Sequence, residues 1–345
     1  MQELSINPIP SPTWNRLNVN SSPIRISDTF CLPDRAICVE GSLLPSREKL
    51  NTISTSGGTS FDTWLETISP AAESFTVPAG SSALLRDDLV ADASSIIRRV
   101  DIHAMPGSRV TVIVRQLAEE RSDADIIQSY RIQADSGSEI QFVQIADGTP
   151  RNRIITALGI QAEENVGIHA IQLILQGSDI YTGGRIELAG PSSRLSCKIA
   201  YQCDEDQLLD INWSVPHRGE KTESQITASG ILRGRSRKTF RGTIDFRRSS
   251  TGASGNVSED VLLLSDDAQN QTVPVILCQE EDVAGSHGAS IGRLSEEMLY
   301  YMQSRGLSES EIIQILSRSR LASVIPLVPD EPTRAWLTQR LAIDA

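Results

Sequence analysis

Between residues 96 and 278 the apolar positions recur in short β-branched runs rather than at helical spacing: VTVIV from Val110, IQFVQI from Ile140, IHAIQLIL from Ile168 and RIEL from Arg185. Each run has the length of one strand, and turn residues separate it from the next. The starts repeat too. Ile126, Ile140, Ile154 and Ile168 stand fourteen positions apart, too close together for helical hairpins to fit between them. A chain that returns to the same residue type at a fixed spacing predicts a solenoid, in which equivalent side chains stack in ladders along one axis. With two strand-and-turn units per coil, the fold expected is a right-handed parallel β-helix. Gly107, Gly137, Gly148, Gly177 and Gly190 are placed to serve its corners, where left-handed backbone costs least for glycine. An antiparallel β-sandwich also uses short, regular strands, but its tight hairpins favour Asn-Gly and Asp-Gly. Asp147-Gly148 is the only Asp-Gly in the chain.

After Leu294 the period changes from two to about 3.6. Glu296 to Arg305 carries Met298, Leu299, Tyr301 and Met302 on one side and stops at Gly306, a residue suited to a left-handed helix end. Ser308 and Glu311 form the spacing of a capping box, opening a helix through Ile312, Ile313, Ile315 and Leu316 that Pro326 closes. Glu331 to Ile343 sets Trp336, Leu337, Leu341 and Ile343 at helical spacing. These segments form a small α-helical subdomain, expected to cap the last coil, whose stacked core and strand edge would otherwise be bare. Residues 1 to 90 are rich in Pro, Ser, Thr and Gly, as in NPIPSPTW and STSGGTS, which predicts short strands and loops. Trp14 and Trp64 there are read as cover for the end of the body. The organisation expected is an irregular region over 1–95, a β-helix over 96–285 and helices over 286–345.

Only 4% of the 345 residues are aromatic, so the core is filled by Ile, Val, Leu and Ala, as thin repetitive layers require. A net charge of −12 opposes binding to nucleic acid, because phosphate contacts need concentrated Lys and Arg. The one basic stretch, Arg233 to Arg248, is read as a solvated strand face. No secretory pattern opens the chain, and no window reaches the ~18 apolar residues of a membrane span. A cytoplasmic protein with no membrane association is expected. The five cysteines, Cys31, Cys38, Cys197, Cys203 and Cys278, lack the paired spacing of a zinc site or a disulfide framework.

No phosphate-binding glycine loop, no GxSxG and no HExxH occurs, so no catalytic residue is assigned. A carbohydrate-active β-helix enzyme would need clustered carboxylates on one face and usually an export signal; the acidic residues here are scattered. Among four histidines only His287 has a distinctive setting, GSHGASIG, at the junction of strand and helix patterns. Gly285 and Gly288 leave its imidazole accessible, and Cys278 lies nine residues upstream, so borderline and soft ligands share one segment.

The stretch from Asp210 to Gly306 resembles the C-terminal core of the SufB/SufD family of iron–sulfur cluster assembly scaffolds. The resemblance rests on His217 followed by Ser224, on ITASGILRGRSRKTFRGTIDF, on VLLLSDDAQNQTVPVIL and on DVAGSHGASIGRLSEEMLYYMQSRGL. Ser286 before His287 and Gly288 after it resemble the SufD branch, since SufB proteins carry acidic residues on both sides. Three departures stand out: Gly285 where SufD proteins usually have Cys, Leu277 where Glu is common, and a shortened N-terminal helical region.

The resemblance implies a non-catalytic, SufD-like scaffold that pairs with a SufB-like solenoid. It further implies that the C-terminal helices recruit a SufC-like ABC ATPase, through Met298, Tyr301, Met302 and Arg305, and that the partner carries the ATP hydrolysis. The iron–sulfur cluster would be transient and built at the subunit interface, with His287 as the candidate interface ligand and Cys278 as the residue that could replace the thiol missing at Gly285. A homodimeric scaffold of a minimal system, pairing with a second copy of itself, is the alternative within the family.

Overall fold

The computed structural model describes residues 2–11, 16–27, 29–69, 71–91, 94–118 and 122–342. Trp14 and Ile343 lie outside these residues. The apolar runs become strands that alternate between two sheets. One sheet contains β6 (Ser82–Ala91), β8 (Arg109–Ala118), β10 (Glu139–Asp147), β12 (Gly167–Gln176), β14 (Arg194–Cys203), β16 (Glu223–Leu232), β18 (Ala253–Leu263) and β20 (Val283–Arg293). The facing sheet contains β5 (Glu73–Val77), β7 (Ile96–Ala104), β9 (Ile126–Ala134), β11 (Arg153–Ala162), β13 (Asp179–Leu188), β15 (Leu208–His217), β17 (Arg237–Phe246) and β19 (Gln269–Cys278). All these neighbours pair in parallel, as a β-solenoid requires.

The isoleucine repeat is now explained. Ile126 pairs with Ile154 in one sheet and Ile140 with Ile168 in the other, so fourteen residues is half a coil and the series is two ladders facing across the core. Side chains alternate between lumen and outside along each strand, and the lumen rows form one continuous buried core from Val77 to Ala268. Burying each such Ile or Val is worth ~1.5–3 kcal/mol. One row of polar lumen groups forms a chain of hydrogen bonds: Gln144 Nε2 donates to Gln116 Oε1 at 2.9 Å, Gln172 Nε2 to Gln144 Oε1 at 2.8 Å, and Trp213 Nε1 to Gln172 Oε1 at 2.9 Å.

Parallel pairing extends past the 96–285 body on both sides, beginning with β5 and β6 and ending at Arg293. Of the corner glycines, Gly107 and Gly137 adopt left-handed backbone, with φ of +68° and +71°. The others do not, and Asn165, Ser192, Glu205 and Lys221 take left-handed corner positions instead. The N-terminal region contains a hairpin of β1 (Gln2–Ile6) and β2 (Ser22–Ile26) and an unforeseen helix α1 (Gly58–Ile68). Both lie on the outer face of the β7–β9–β11 sheet, where Trp64 is buried beside Phe61, Ile97 and Ile127. Trp64 therefore covers a flank of the solenoid, not its end. Two short antiparallel strands, β3 (Cys38–Gly41) on β6 and β4 (Leu44–Ser46) on β5, close the N-terminal edges of the two sheets.

The C-terminal helices follow their sequence signals. In α2 (Glu296–Ser304) the Met298 N–H donates to the Ser295 side chain, and Gly306 follows with φ of +91°. The capping box of Ser308 and Glu311 opens α3 (Glu309–Ala322), and Asp330 caps α4 (Glu331–Arg340). Their placement corrects the expected cap. Leu321, Val328 and Leu337 bury against Val143 and Leu173 on the outer face of the β10–β12 region. Arg340 to Asp147 at 2.7 Å, Arg320 to Asp260 at 2.7 Å and Arg86 to Asp330 at 2.7 Å pin the subdomain to that flank. The helices sit beside the solenoid, and the last coil stays open.

Candidate functional site

The open end is the edge strand β20, which pairs with β18 on one side and, among the described residues, has no strand on the other. From Ala284 to Arg293 every residue is exposed, in contrast to the buried lumen rows one coil below. The register fixes which side chains belong to the lumen. On β18 the buried positions are Ala253, Gly255, Val257, Glu259 and Val261, and their partners on β20 are Val283, Gly285, His287, Ala289 and Ile291. His287 therefore stands on the lumen row above Val257, exposed only because no further coil covers it.

Cys278 belongs to the same end. It pairs with Phe246, a lumen residue, and its exposed thiol donates to the Glu280 carbonyl at 3.0 Å. A Cβ placed on Gly285 would meet Phe246 Cε2 at 3.0 Å and Ile276 Cγ2 at 3.2 Å. Phe246 is thus the neighbour shared by Cys278 and Gly285, and His287 lies two residues further along the row. Gly288 has open space where a side chain would be. Together the chain offers one imidazole and one thiol at its open end, fewer than the four ligands of a [2Fe–2S] or [4Fe–4S] cluster. Among the described residues no group of three or more His, Cys, Asp or Glu is arranged to hold a metal ion.

One coil deeper lies a charged cluster that the sequence reading missed. Lys238 Nζ donates to Glu259 Oε1 at 2.5 Å with both side chains fully buried, and the same carboxylate accepts from Tyr201 Oη at 2.8 Å and Thr272 Oγ1 at 2.6 Å. Burial lowers the Lys238 pKa, against the pull of Glu259. The signal was present: Lys238, Phe240, Gly242, Ile244 and Phe246 alternate, which sets Lys238 on the lumen row. Four arginines of the same basic stretch are paired as well. Arg233, Arg235 and Arg241 pair with Asp204, Asp206 and Asp210 of the preceding coil, and Arg247 pairs with Asp245. Near the same end His217 is held neutral, its Nδ1 2.7 Å from Thr222 Oγ1 and Nε2 2.8 Å from Ser224 Oγ, and burial pulls its pKa down to about 4.

The four expected docking residues lie on or beside α2, which buries none of its side chains. Met298 is 51% and Tyr301 57% exposed; Met302 is half-buried and Arg305 exposed, with the Arg305 guanidinium 5.3 Å from the Tyr301 ring centroid. No described helix is long and apolar enough to cross a membrane.

Fold and site together define a parallel β-solenoid sealed at its N-terminal edge and open at its C-terminal edge, with helices mounted on its flank. The chain belongs to the SufB/SufD family: the family model of the SUF-system iron–sulfur cluster assembly SufBD core domain matches residues 88–320. An iron–sulfur cluster assembly SufBD family protein of Mycobacterium bovis is 30% identical over 127 residues, which is 37% of this chain and 15% of that protein. The iron–sulfur cluster assembly protein SufD of Bacillus subtilis is 28% identical over 132 residues, 38% of this chain and 30% of that protein. A SufBD family protein of Staphylococcus epidermidis is 29% identical over 110 residues, 32% of this chain and 24% of that protein. The matched stretch thus spans less than a third of each of these relatives.

Proposed function

We propose that this chain is a SufD-like, non-catalytic scaffold subunit of a cytoplasmic SUF-type complex, pairing through its open edge with a SufB-like solenoid and recruiting a SufC-like ABC ATPase through its C-terminal helices. The observation that carries this reading is the asymmetry of the two ends. Unpaired sheet edges invite association and are ordinarily blunted. Here β3 and β4 do so at the N-terminal edge, whereas β20 is long, exposed and uncharged until Arg293. The iron–sulfur cluster is cargo in this scheme. His287 supplies an imidazole lone pair to iron from the lumen row of the open coil, Cys278 supplies a thiolate from the same open end, and the remaining ligands come from the second subunit.

The exposure of Met298 and Tyr301 supports α2 as the ATPase-docking element, since α3 and α4 already bury their apolar faces on the solenoid. Met298→Asp combined with Tyr301→Asp is expected to abolish co-purification with the ATPase while the thermal unfolding profile stays unchanged. Retained association after deletion of residues 295–345 overturns the docking assignment.

A further inference from the structure

We infer that a corner notch of the solenoid, remote from β20, binds a primary ammonium with a neutral carbonyl on the adjacent carbon, the group present at the N-terminus of a peptide and in an amino-acid amide. The solenoid is irregular at this corner. The turn from β10 to β11 has five residues, 148–152, and the turn from β14 to β15 has four, 204–207, whereas the turn between them, from β12 to β13, has only Gly177 and Ser178. A Cβ on Gly177 would meet Ile180 Cγ1 at 2.7 Å, so the short turn needs the glycine. It is tied to both neighbouring coils, with the Ser178 N–H donating to the Asn152 carbonyl at 2.7 Å and the Leu208 N–H to the Ser178 carbonyl at 2.9 Å. One short turn stacked between two long ones leaves a notch of about 300 Å³, walled by Gly177, Ser178 and Asp179 on one coil and by residues 204–207 on the next. That is the small end of the range for ligand clefts.

Two groups of the notch lack the partner their chemistry requires. Gln207 is only 8% exposed. Its Oε1 accepts from the Asp204 N–H at 3.2 Å, and its Nε2 is buried without a partner among the described residues. Buried amide donors are ordinarily satisfied, and turning the amide over would forfeit the bond from Asp204. Asp179 is half-buried. Arg153, its neighbour on β11, donates to the Arg25 carbonyl at 2.6 Å and pairs with Asp125 instead. Burial raises the Asp179 pKa against the pull of Arg153 and Arg237. Asp204 and Asp206, by contrast, are matched by Arg233 and Arg235 of the next coil. The excess negative charge of the notch therefore rests on Asp179 and on the exposed Glu205.

These two requirements together define the ligand. Asp179 needs a cation, and Gln207 Nε2 needs an acceptor. A metal ion brings no acceptor and is repelled by an N–H donor, while a guanidinium or a polyamine carries donors alone. A free amino acid sets its carboxylate against an acidic wall. An ammonium beside a neutral carbonyl meets both requirements at once.

The test is isothermal titration calorimetry on the full chain, with glycinamide, ethylamine, N-acetylglycinamide and the tripeptide amide Gly-Gly-Gly-NH2 as probes. Glycinamide is expected to bind in the millimolar range, and ethylamine and N-acetylglycinamide at least tenfold more weakly, because the first lacks the carbonyl and the second the ammonium. Asp179→Asn should weaken glycinamide at least tenfold. Gln207→Glu keeps the acceptor for the Asp204 N–H but removes the donor, so the preference for glycinamide over ethylamine should vanish, a change that a merely structural role of Gln207 would not produce. Tighter binding of the tripeptide amide than of glycinamide identifies a chain N-terminus as the occupant, and equal or weaker binding a small amide. The comparison of probes on the unaltered chain stands whether or not the variants fold. Absence of saturable binding by glycinamide and the tripeptide amide, as for a notch that holds water only, overturns the inference; so does ethylamine binding as tightly as glycinamide, or an unchanged glycinamide affinity in Asp179→Asn.

Discussion

The pair of Lys238 and Glu259 is the most consequential charge contact in the solenoid, because both side chains are fully buried one coil below the open end. Replacing Lys238 with Met keeps most of the volume but leaves the Glu259 carboxylate with only the Tyr201 and Thr272 hydroxyls, at 2.8 and 2.6 Å. Removing one member of a buried ion pair costs ~3–5 kcal/mol, because the survivor is an uncompensated charge in a poorly solvated site. Against a total stability of roughly 5–15 kcal/mol, that loss should lower the urea midpoint substantially. Glu259→Gln alone strands the ammonium and should cost a similar amount. The double variant holds no buried charge, and its amide accepts from one hydroxyl through its oxygen and donates to the other through its nitrogen, so its cost should fall to about 1–2 kcal/mol. Equilibrium urea unfolding of the four proteins, followed by the fluorescence of the buried Trp213, closes a double-mutant cycle. The two single costs should exceed the double cost by well over 2 kcal/mol. Additivity within about 0.5 kcal/mol, the behaviour of distant sites, would refute the contact as drawn.

Two histidines give the protein opposite pH slopes. His217 has a folded pKa of about 4 against an ordinary 6.5, so the unfolded chain binds the extra proton first and stability falls as pH drops from ~6.5 to ~4, by roughly 3 kcal/mol in all; His217→Gln should flatten that slope in urea midpoints measured across the range. His103 loses some basicity to burial, but its contacts with Asp135 and Glu48, both at 2.9 Å, raise its pKa overall. Its contribution is therefore complete below pH ~6.5 and lost as pH rises through the folded value, and His103→Gln should remove that alkaline-side loss.

The solenoid was legible because stacking in parallel sheets demands the same residue type at the same position of each coil, and Ile126, Ile154 and Ile140, Ile168 meet that demand. Its first coil was hidden by charge. In β6 the lumen position Asp87 is ionic and reads as solvent-facing, yet it is buried and neutralised by Arg98 from the facing sheet. Lys238 was obscured in the same way, by its position in a run of arginines. The helices α2, α3 and α4 were announced by their caps, which are local chemistry, whereas the seat of α3 and α4 on the flank depends on the outward rows of Val143 and Leu173, far removed in sequence from Leu321 and Leu337. His287 was picked out by its glycine-rich setting and by resemblance. That it stands on a lumen row, with Cys278 joined to it through Phe246 and Gly285, follows only from the register of β18, β19 and β20.

In the proposed function the open coil of this chain contributes ligands to a cluster built between two subunits. The most direct measurement is iron–sulfur cluster formation on the assembled complex of this chain with a SufB-like solenoid and the ATPase, supplied with ferrous iron and a sulfide source and read by visible absorbance and circular dichroism. His287→Ala leaves an exposed lumen-row position without a packing role, so complex assembly should be unchanged while cluster formation falls well below that of the unaltered complex. Adding Cys278→Ser should lower it further. Full cluster formation by a complex carrying both substitutions would contradict the account and move the ligands entirely to the partner.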